Sequence, residues 1–436
     1  MKYGLKYQLV EIYLSVDYDN FGAKNLYLRN GFKLTISKGS VDIMMKSLTL
    51  INLPVSFGEA VDKLTILDIK LDKISDLRKN DVAKEQVLLF EQLEKVLEKS
   101  PFYYRLLKKV NLDIWEMQDI FRESDSLTVK NELCHKIILE NDRRFRIKNK
   151  INQINLSYLK EQKGYNPKKA FFLGHLGLGD TINTIGLVRY LSTCYDKVIV
   201  VVKTCYQANI VPMFGDDESI ELKFIQTDQE LSPAFGASQS KFDQLTEGCD
   251  LFRVGYHKME GRYHRINSLP FNFYEDVNLP INYFWDYFYL PETDKSKQLF
   301  QLTNNQPYIF VHNQSSQKLE FSAEIIKNKL QLDSDKIMFI NPNYNMYQQE
   351  HPFYNNAAQF LNLLIIDYVD LIINSKALVL TDSAFFCLAL QLPIKTDQCY
   401  YYSRNNATYE HIFTHPTHVT NGRKVLRNLR LITQND

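Results

Sequence analysis

A chain of 436 residues exceeds what one hydrophobic core usually organises, so two or three domains are expected. With 45% hydrophobic and 24% charged residues it reads as globular material, and a formal net charge of +1 lacks the basic excess of a nucleic-acid binder. Cys134, Cys194, Cys205, Cys249, Cys387 and Cys399 are scattered with no CxxC pair and no metal-ligand spacing, so no metal site is expected and a reducing compartment fits.

The N-terminus has no uninterrupted apolar core of the signal-peptide kind. The longest apolar candidate, Leu361–Leu380, is broken by Asp367, Asp370, Asn374 and Lys376, so no transmembrane segment is expected and the location reads as cytoplasmic.

Residues 1–47 open with a strand-like alternation at Val10–Val16, then a DYDN turn, a short helix and two extended pieces, GFKLTIS and VDIMMKSL. The string Asn20-x-x-Ala23-x-x-Leu26-Tyr27, followed by Gly31-Phe32, resembles the C-terminal portion of a GNAT-type N-acetyltransferase. The resemblance implies that Asn20 and Tyr27 are remnants of an acetyl-CoA site. The phosphate-binding loop that should precede them is missing, so a truncated GNAT-like α+β fragment is expected.

Residues 48–160 change character. From Gly58 to Glu98 apolar residues recur every three or four positions, with Leu64, Leu67, Ile69, Leu71 and Ile74 on one stripe. This predicts an amphipathic helix, a break near Asn80–Asp81, and a second helix, with Val110–Phe121 and Thr128–Leu156 continuing the pattern. A coiled-coil-like helical hairpin is expected, serving as a spacer or as an arm for homo-oligomer formation. The segments VSFGEAVDKLTILDIKLDKI, DIWEMQDIFRE and ENDRRFRIKNKIN resemble an uncharacterised bacterial helical family, which implies association with surface-polysaccharide genes.

From Asn166 the rhythm is strand–helix–strand, with strands at Lys169–Gly174, Lys197–Lys203 and Leu222–Ile225 and a helix over Thr181–Ser192. An aromatic-rich stretch follows from Asp250 to Pro291, whose rings read as interdomain core or as a sugar-stacking surface. Then come strands at Tyr308–His312, Ile337–Ile340, Ala377–Thr381 and Cys399–Tyr402, with helices near Ala323–Leu330, over Asn355–Ser375 and from Ser383 to Leu392. Two successive βα sets predict two Rossmann-like halves, 165–300 and 301–436, facing a cleft.

Three loops could carry chemistry. Gly174-His175-Leu176-Gly177-Leu178-Gly179-Asp180 joins a strand to a helix, and its glycines, Gly177 and Gly179 among them, allow the backbone close to a ligand. A tight turn with Asp180 as helix cap accounts for it equally well. Leu380-Thr381-Asp382-Ser383-Ala384-Phe385-Phe386 ends a strand and starts a helix, where free N–H groups and a hydroxyl suit a diphosphate, or simply cap a buried helix. His312-Asn313-Gln314-Ser315-Ser316 follows the first strand of the second set, where His312 also reads as an ordinary strand-end residue. His257, Arg262, His264 and Arg265 form a basic cluster that reads as a solvated loop or as a contact for an anionic acceptor.

GLGDTINTIGLVRYLS resembles the opening of the heptosyltransferase-like glycosyltransferases, whose fold is the GT-B pair of Rossmann-type domains. The resemblance implies an acceptor-side half at 165–300, a donor-side half at 301–436, and Asp180 as the base for the acceptor hydroxyl. It implies a nucleotide-sugar donor held by Asp382, Ser383, His312, Asn313, Ser315 and Ser316, a glycan or glycolipid acceptor, and no required metal or cofactor. The family's DS/T-G-x-x-H pattern is met by Asp382 and Ser383, while Ala384 stands for its Gly and Cys387 for its His. The expectation is thus an α/β glycosyltransferase of GT-B type behind the helical region. A non-catalytic glycan- or nucleotide-binding protein with a GT-B shell, or a helical scaffold, are the alternatives.

Overall fold

The structure, a computed structural model, describes residues 11–47, 53–230, 239–255, 269–314, 326, 328, 336–402 and 429–432. The chain divides into two compact units, Met1–Val55 and Ser56–Asp436.

In the first unit, strands β1 (Glu11–Asp17), β2 (Lys33–Lys38) and β3 (Val41–Ser47) form an antiparallel sheet in the order β1-β3-β2, with helix α1 (Phe21–Arg29) between β1 and β2. Asn20 caps α1, its Oδ1 accepting from the Ala23 N–H at 3.0 Å. Tyr27 is half-buried with its ring 5.8 Å from that of Phe32. Both residues therefore have a structural account inside this small unit.

The second unit opens with helices α2 (Phe57–Lys73), α3 (Lys79–Lys99), α4 (Pro101–Glu123) and α5 (Leu127–Ile154). The first break falls at residues 74–78, a few positions earlier than expected, because Ile74 adopts an extended conformation and ends α2. Leu64, Leu67 and Ile69 are buried as the stripe predicts, whereas Leu71 and Ile74 are only partly covered. Asp62 on α2 accepts from Asn111 on α4 at 2.8 Å and from Arg144 Nε on α5 at 2.7 Å, so one carboxylate pins three helices. Gly58 lets α2 and α5 cross at van der Waals distance: a Cβ there would run into the Lys148 carbonyl.

These helices are not a free-standing spacer. α5 packs on α7 (Ile185–Cys194) of the following α/β region, and the helical core includes Tyr287 from the aromatic stretch. Polar bonds fix the junction: Arg146 with Asp196 at 2.9 Å, Lys150 with Asp217 at 2.6 Å, and Arg189 with both Asp216 and Tyr103. The expected spacer is thus built into the α/β region's own packing.

That region holds two parallel sheets. In the first, β4 (Lys169–Leu173), β5 (Lys197–Lys203), β6 (Ile220–Ile225) and β7 (Asp250–Arg253) lie in the order β6-β5-β4-β7. In the second, β8 (Tyr308–His312), β9 (Met338–Ile340), β10 (Ala377–Thr381), β11 (Cys399–Tyr402) and β12 (Leu429–Ile432) lie in the order β12-β11-β10-β8-β9. The near-continuous apolar strands KVIVVVK and ALVLT suit parallel sheets covered on both faces.

Two helix expectations are corrected. The helix over Thr181–Ser192 is two helices, α6 (Leu178–Asn183) and α7, broken at Thr184. Gly186 in the second packs so tightly that a Cβ would stand 2.6 Å from the Tyr283 carbonyl oxygen. The long helix over Asn355–Ser375 is instead α13 (Tyr354–Ala358), a 3₁₀ turn (Ile365–Tyr368) and α14 (Val369–Asn374). Asn362 takes a left-handed φ of 54° and its N–H turns to the Pro342 carbonyl, which ends helical propagation there. The helix expected at Ala323–Leu330 lies almost wholly outside the described residues.

Helices α8 (Gln207–Phe214) and α9 (Gln239–Thr246) follow β5 and β6 in the chain, and α10 (Leu269–Glu275), α11 (Tyr283–Asp286) and α12 (Asp294–Leu302) connect the sheets. Phe273, Tyr274, Phe284 and Trp285 are buried in one core with Val188 and Leu191 of the first set and Phe386 and Leu388 of the second. The aromatic stretch is core at these positions.

Candidate functional site

A parallel sheet opens a crevice where successive loops leave the strand ends in opposite directions. In the first sheet the chain leaves β4 toward β5 and later returns to β7 on the other side, so the divergence lies after β4 and β7. In the second it leaves β8 toward β9 and returns to β10, placing the divergence after β8 and β10. The described parts of the three predicted loops stand at these two places: Gly174–Asp180 after β4, Asn313–Gln314 after β8, and Asp382–Ser383 after β10.

At the first divergence, His175 Nε2 lies 2.6 Å from the Gly255 carbonyl oxygen, just past β7. A carbonyl only accepts, so Nε2 carries the hydrogen and Nδ1 keeps its lone pair when the ring is neutral. Gly255 has φ 84°, and a Cβ would stand 2.6 Å from His175 Cδ2 and 2.7 Å from Phe273 Cε1, so both backbone and space require glycine. Asp276 Oδ2 accepts from the Gly255 N–H at 2.8 Å and holds this turn. The His175 Nδ1 atom faces Asp180 Oδ2 at 3.9 Å.

Asp180 sits in the first turn of α6, but it is not the cap. Gly177 holds that position and receives no side-chain bond, which corrects the reading of Asp180 as an N-cap. The carboxylate is therefore not committed to the helix end. A Cβ on Gly177 would stand 2.8 Å from Asp180 Oδ2, so this glycine clears the space the carboxylate occupies. Burial pushes the Asp180 carboxyl above the usual aspartate range; the His175 charge opposes this and the nearby Asp382 carboxylate adds to it. Two acids from two different sheets thus feel one another.

At the second divergence, His312 ends β8 and is 6% exposed. Its Nδ1 is 2.9 Å from Ser383 Oγ, and its Nε2 is 3.2 Å from Asn343 Nδ2. An amide nitrogen donates, so Nε2 accepts and Nδ1–H donates to Ser383, leaving the serine hydroxyl hydrogen for another acceptor. Burial holds the ring at about 4, hence neutral at ordinary pH. Asn313 is fully buried beside it, accepting from Asn341 at 2.8 Å and donating to Tyr344 at 2.6 Å. Ser315 and Ser316 lie outside the described residues, as do His257, Arg262, His264 and Arg265.

The two loops meet through their helices. α6 packs on α15 (Ala384–Ala389), and a Cβ on Gly179 would lie 3.1 Å from Cys387 Sγ and 3.5 Å from Ala384 Cα. Cys387 accepts a weak bond from Asn183 at 3.4 Å, and Gln391 donates to the Ile182 carbonyl at 3.1 Å. Ala384 and Cys387, which stand in place of the Gly and His of the pattern resembled above, both touch α6. Burial, with Asp180 and Asp382 nearby, drives the Cys387 thiol far above its usual range, so it packs as a small apolar group.

Sequence reasoning missed His175, although it lay inside the quoted loop, because its partner Gly255 is 80 residues away. It also missed Asn341 and Asn343, which nothing in the local pattern singles out. Among the described residues, no three His, Cys, Asp or Glu side chains are grouped to hold a metal ion, and no helix is long and apolar enough to cross a membrane.

Residues 51–171 match a family of unknown function (DUF6165). The match covers the helical layer and the start of β4 and carries no stated chemistry. No curated protein matches the chain in sequence. Two solved structures show a distant similarity to this chain, each at a TM-score of 0.30. One is the dodecameric iron-containing heptosyltransferase TibC in complex with ADP-D-beta-D-heptose, 10% identical over 56% of this chain. The other is the iron-containing dodecameric glycosyltransferase TibC from enterotoxigenic E. coli H10407, 13% identical over 57% of this chain. The chain spans 61% of the length of either TibC structure.

Proposed function

We propose that residues 165–436 are a GT-B-type glycosyltransferase that moves a sugar from a nucleoside diphosphate sugar to a hydroxyl of a glycan or glycolipid. The observation that carries this reading is Asp180: a carboxyl raised by burial and by Asp382, free of the helix cap, where the strand-end loops of two parallel sheets converge. An attacking hydroxyl must lose its proton as it bonds the anomeric carbon, and a carboxylate with an elevated proton affinity is suited to take it. Asp180 is the base in this reading. Gly177 and Gly179 bring the backbone close to the acceptor.

Ser383, its hydroxyl hydrogen turned outward by His312, donates to the departing diphosphate, and Asp382, Asn313, Ser315 and Ser316 complete the donor loops. The leaving charge is met by hydrogen-bond donors, so transfer is expected to survive EDTA. Residues 1–47 are a GNAT-like fragment, and the protein acts in the cytoplasm.

The test is a thermal-shift screen of the full chain against UDP, GDP, ADP, CMP and their sugars, with and without EDTA. Saturation at about 100 times the dissociation constant adds about 2.7 kcal/mol. The best sugar nucleotide is then assayed for nucleoside diphosphate release in the wild type and in Asp180→Asn. Release that persists in Asp180→Asn removes Asp180 as base.

A second reading is a binding protein that keeps the shell without catalysis. It is favoured by one observation, that Cys387 and Ala384 close α15 against Gly179. Ligand-induced stabilisation with no release in the wild type selects it.

A further inference from the structure

The strongest unassigned feature is the imidazole beside Asp180. We propose that His175 is the positioning residue of Asp180, receiving at Nδ1 the proton that the carboxylate takes from the acceptor hydroxyl. This rests on the reading of Asp180 as base.

Three observations carry it. The ring cannot turn freely: Nε2–H is held by the Gly255 carbonyl at 2.6 Å, and the ring packs edge-on against Phe273 at 5.5 Å. Gly255 is shaped for the ring, since any Cβ there would collide with it. His175 Nδ1 stands 3.9 Å from Asp180 Oδ2, and a shift of about 1 Å by the carboxylate closes that gap to hydrogen-bond length. Two proton acceptors facing each other repel as lone pairs and attract once either holds a proton.

The sequence of bonds balances. The acceptor O–H bond breaks, its electron pair stays on the oxygen that attacks the anomeric carbon, and an O–H bond forms on Asp180. That bond then breaks as N–H forms on His175 Nδ1, giving an imidazolium beside a carboxylate. Both side chains are about a third exposed, so the imidazolium returns its proton to water. Among the described residues, the charged or titratable groups around the pair include Asp382 and Cys387 from the second sheet's side and Asp276 behind the Gly255 turn. Asp382 raises the Asp180 proton affinity and the His175 charge lowers it, so His175 keeps the base ionised at a lower pH than Asp382 alone would permit.

The test uses the full chain and no substrate. His175→Gln keeps an amide N–H for the Gly255 carbonyl and removes the imidazole Nδ1. Carbon-13 NMR of the aspartate carboxyls, with Asp180→Asn for assignment, is expected to show the Asp180 midpoint moving to higher pH in His175→Gln. An unmoved midpoint overturns the proposal. Should His175→Gln fail to fold, nitrogen-15 NMR of the wild-type ring decides: the Nε2–H tautomer is expected, and an Nδ1–H tautomer overturns it. Neither readout depends on transfer. If nucleoside diphosphate release is found, a parallel upward shift in the acid limb of its pH profile is expected in His175→Gln. Release lost in Asp180→Asn with that limb unmoved sinks the role of His175 alone.

Discussion

Gly179 and Ala384 touch across the two sheets: a Cβ on the glycine would lie 3.5 Å from Ala384 Cα and 3.1 Å from Cys387 Sγ. This contact brings the β4 loop to the β10 loop, and it explains how Asp180 and Asp382 come to share a field. A branched side chain at Gly179 must push α6 from α15. Gly179→Val is expected to cost about 1–3 kcal/mol as overpacking, read by urea denaturation. It should also weaken nucleotide-sugar stabilisation more than Gly215→Ala, whose Cβ meets only the Val211 carbonyl at 3.7 Å. Equal behaviour of the two variants would show that the α6–α15 contact does not shape the site.

Asp180→Asn should trade activity against stability. Loss of a general base costs typically about 10²–10⁴-fold in rate. The folded carboxyl binds its proton more tightly than the unfolded one, because burial and Asp382 disfavour its charge. Between the unfolded and folded pKa the native state holds more protons, so this group's contribution to stability falls as pH rises through that window. Asparagine removes the charge, so the variant is expected to melt no lower than wild type at pH 7 while releasing far less nucleoside diphosphate. A variant that melts markedly lower would mean that Asp180 is a structural carboxylate.

His312 predicts an opposite dependence. Its folded pKa of about 4 lies below the ordinary histidine value of 6.5 because the ring is buried. The unfolded chain then binds more protons between those values, so this contribution is complete above 6.5 and is lost as pH falls toward 4. The difference corresponds to about 3 kcal/mol. His312→Asn should flatten the stability profile over that range, measured by denaturant titration at stepped pH. It should also weaken donor binding, since Ser383 loses the donor that orients its hydroxyl.

How much of this was legible beforehand depends on range. The strands Lys197–Lys203, Tyr308–His312, Ala377–Thr381 and Cys399–Tyr402 are where their apolar runs place them, because a buried parallel strand is a local signal. The loops around Asp180 and Ser383 were visible too, since a strand-to-helix turn announces itself through glycine and small polar residues. What could not be read was pairing. His175 acquires meaning only from Gly255, and His312 only from Asn343 and Ser383, contacts that strand order creates. The helical layer shows the same limit. Its 3.6-residue period was plain, but that period does not show that Arg143, Arg146 and Lys150 are buried and bonded to Thr193, Asp196 and Asp217 of the α/β region. The break at Asn362 depends on the Pro342 carbonyl and was equally invisible.

That junction yields the most demanding prediction. Lys150 on α5 is 3% exposed and donates to Asp217 Oδ1 and Ser219 Oγ, each at 2.6 Å, while Ser192 on α7 donates to Asp217 Oδ2 at 2.9 Å. Burial alone would raise the Asp217 carboxyl, but Lys150 and Arg189 hold it below the usual range. Its stabilisation is therefore present above the ordinary aspartate value and is lost as pH falls through the folded one. Lys150→Met leaves the carboxylate buried without its nearest cation, which typically costs about 3–5 kcal/mol. Asp217→Asn in the same chain removes the stranded charge, and the double variant is expected to recover part of that loss. The distinguishing measurement is a double-mutant cycle by urea denaturation, followed through both the helical layer and the sheets by hydrogen exchange. If the helices are integral to the α/β region, Lys150→Met lowers protection in α5 and α7 together. If protection falls in α5 alone, the helical layer is an independent module that merely rests on its neighbour.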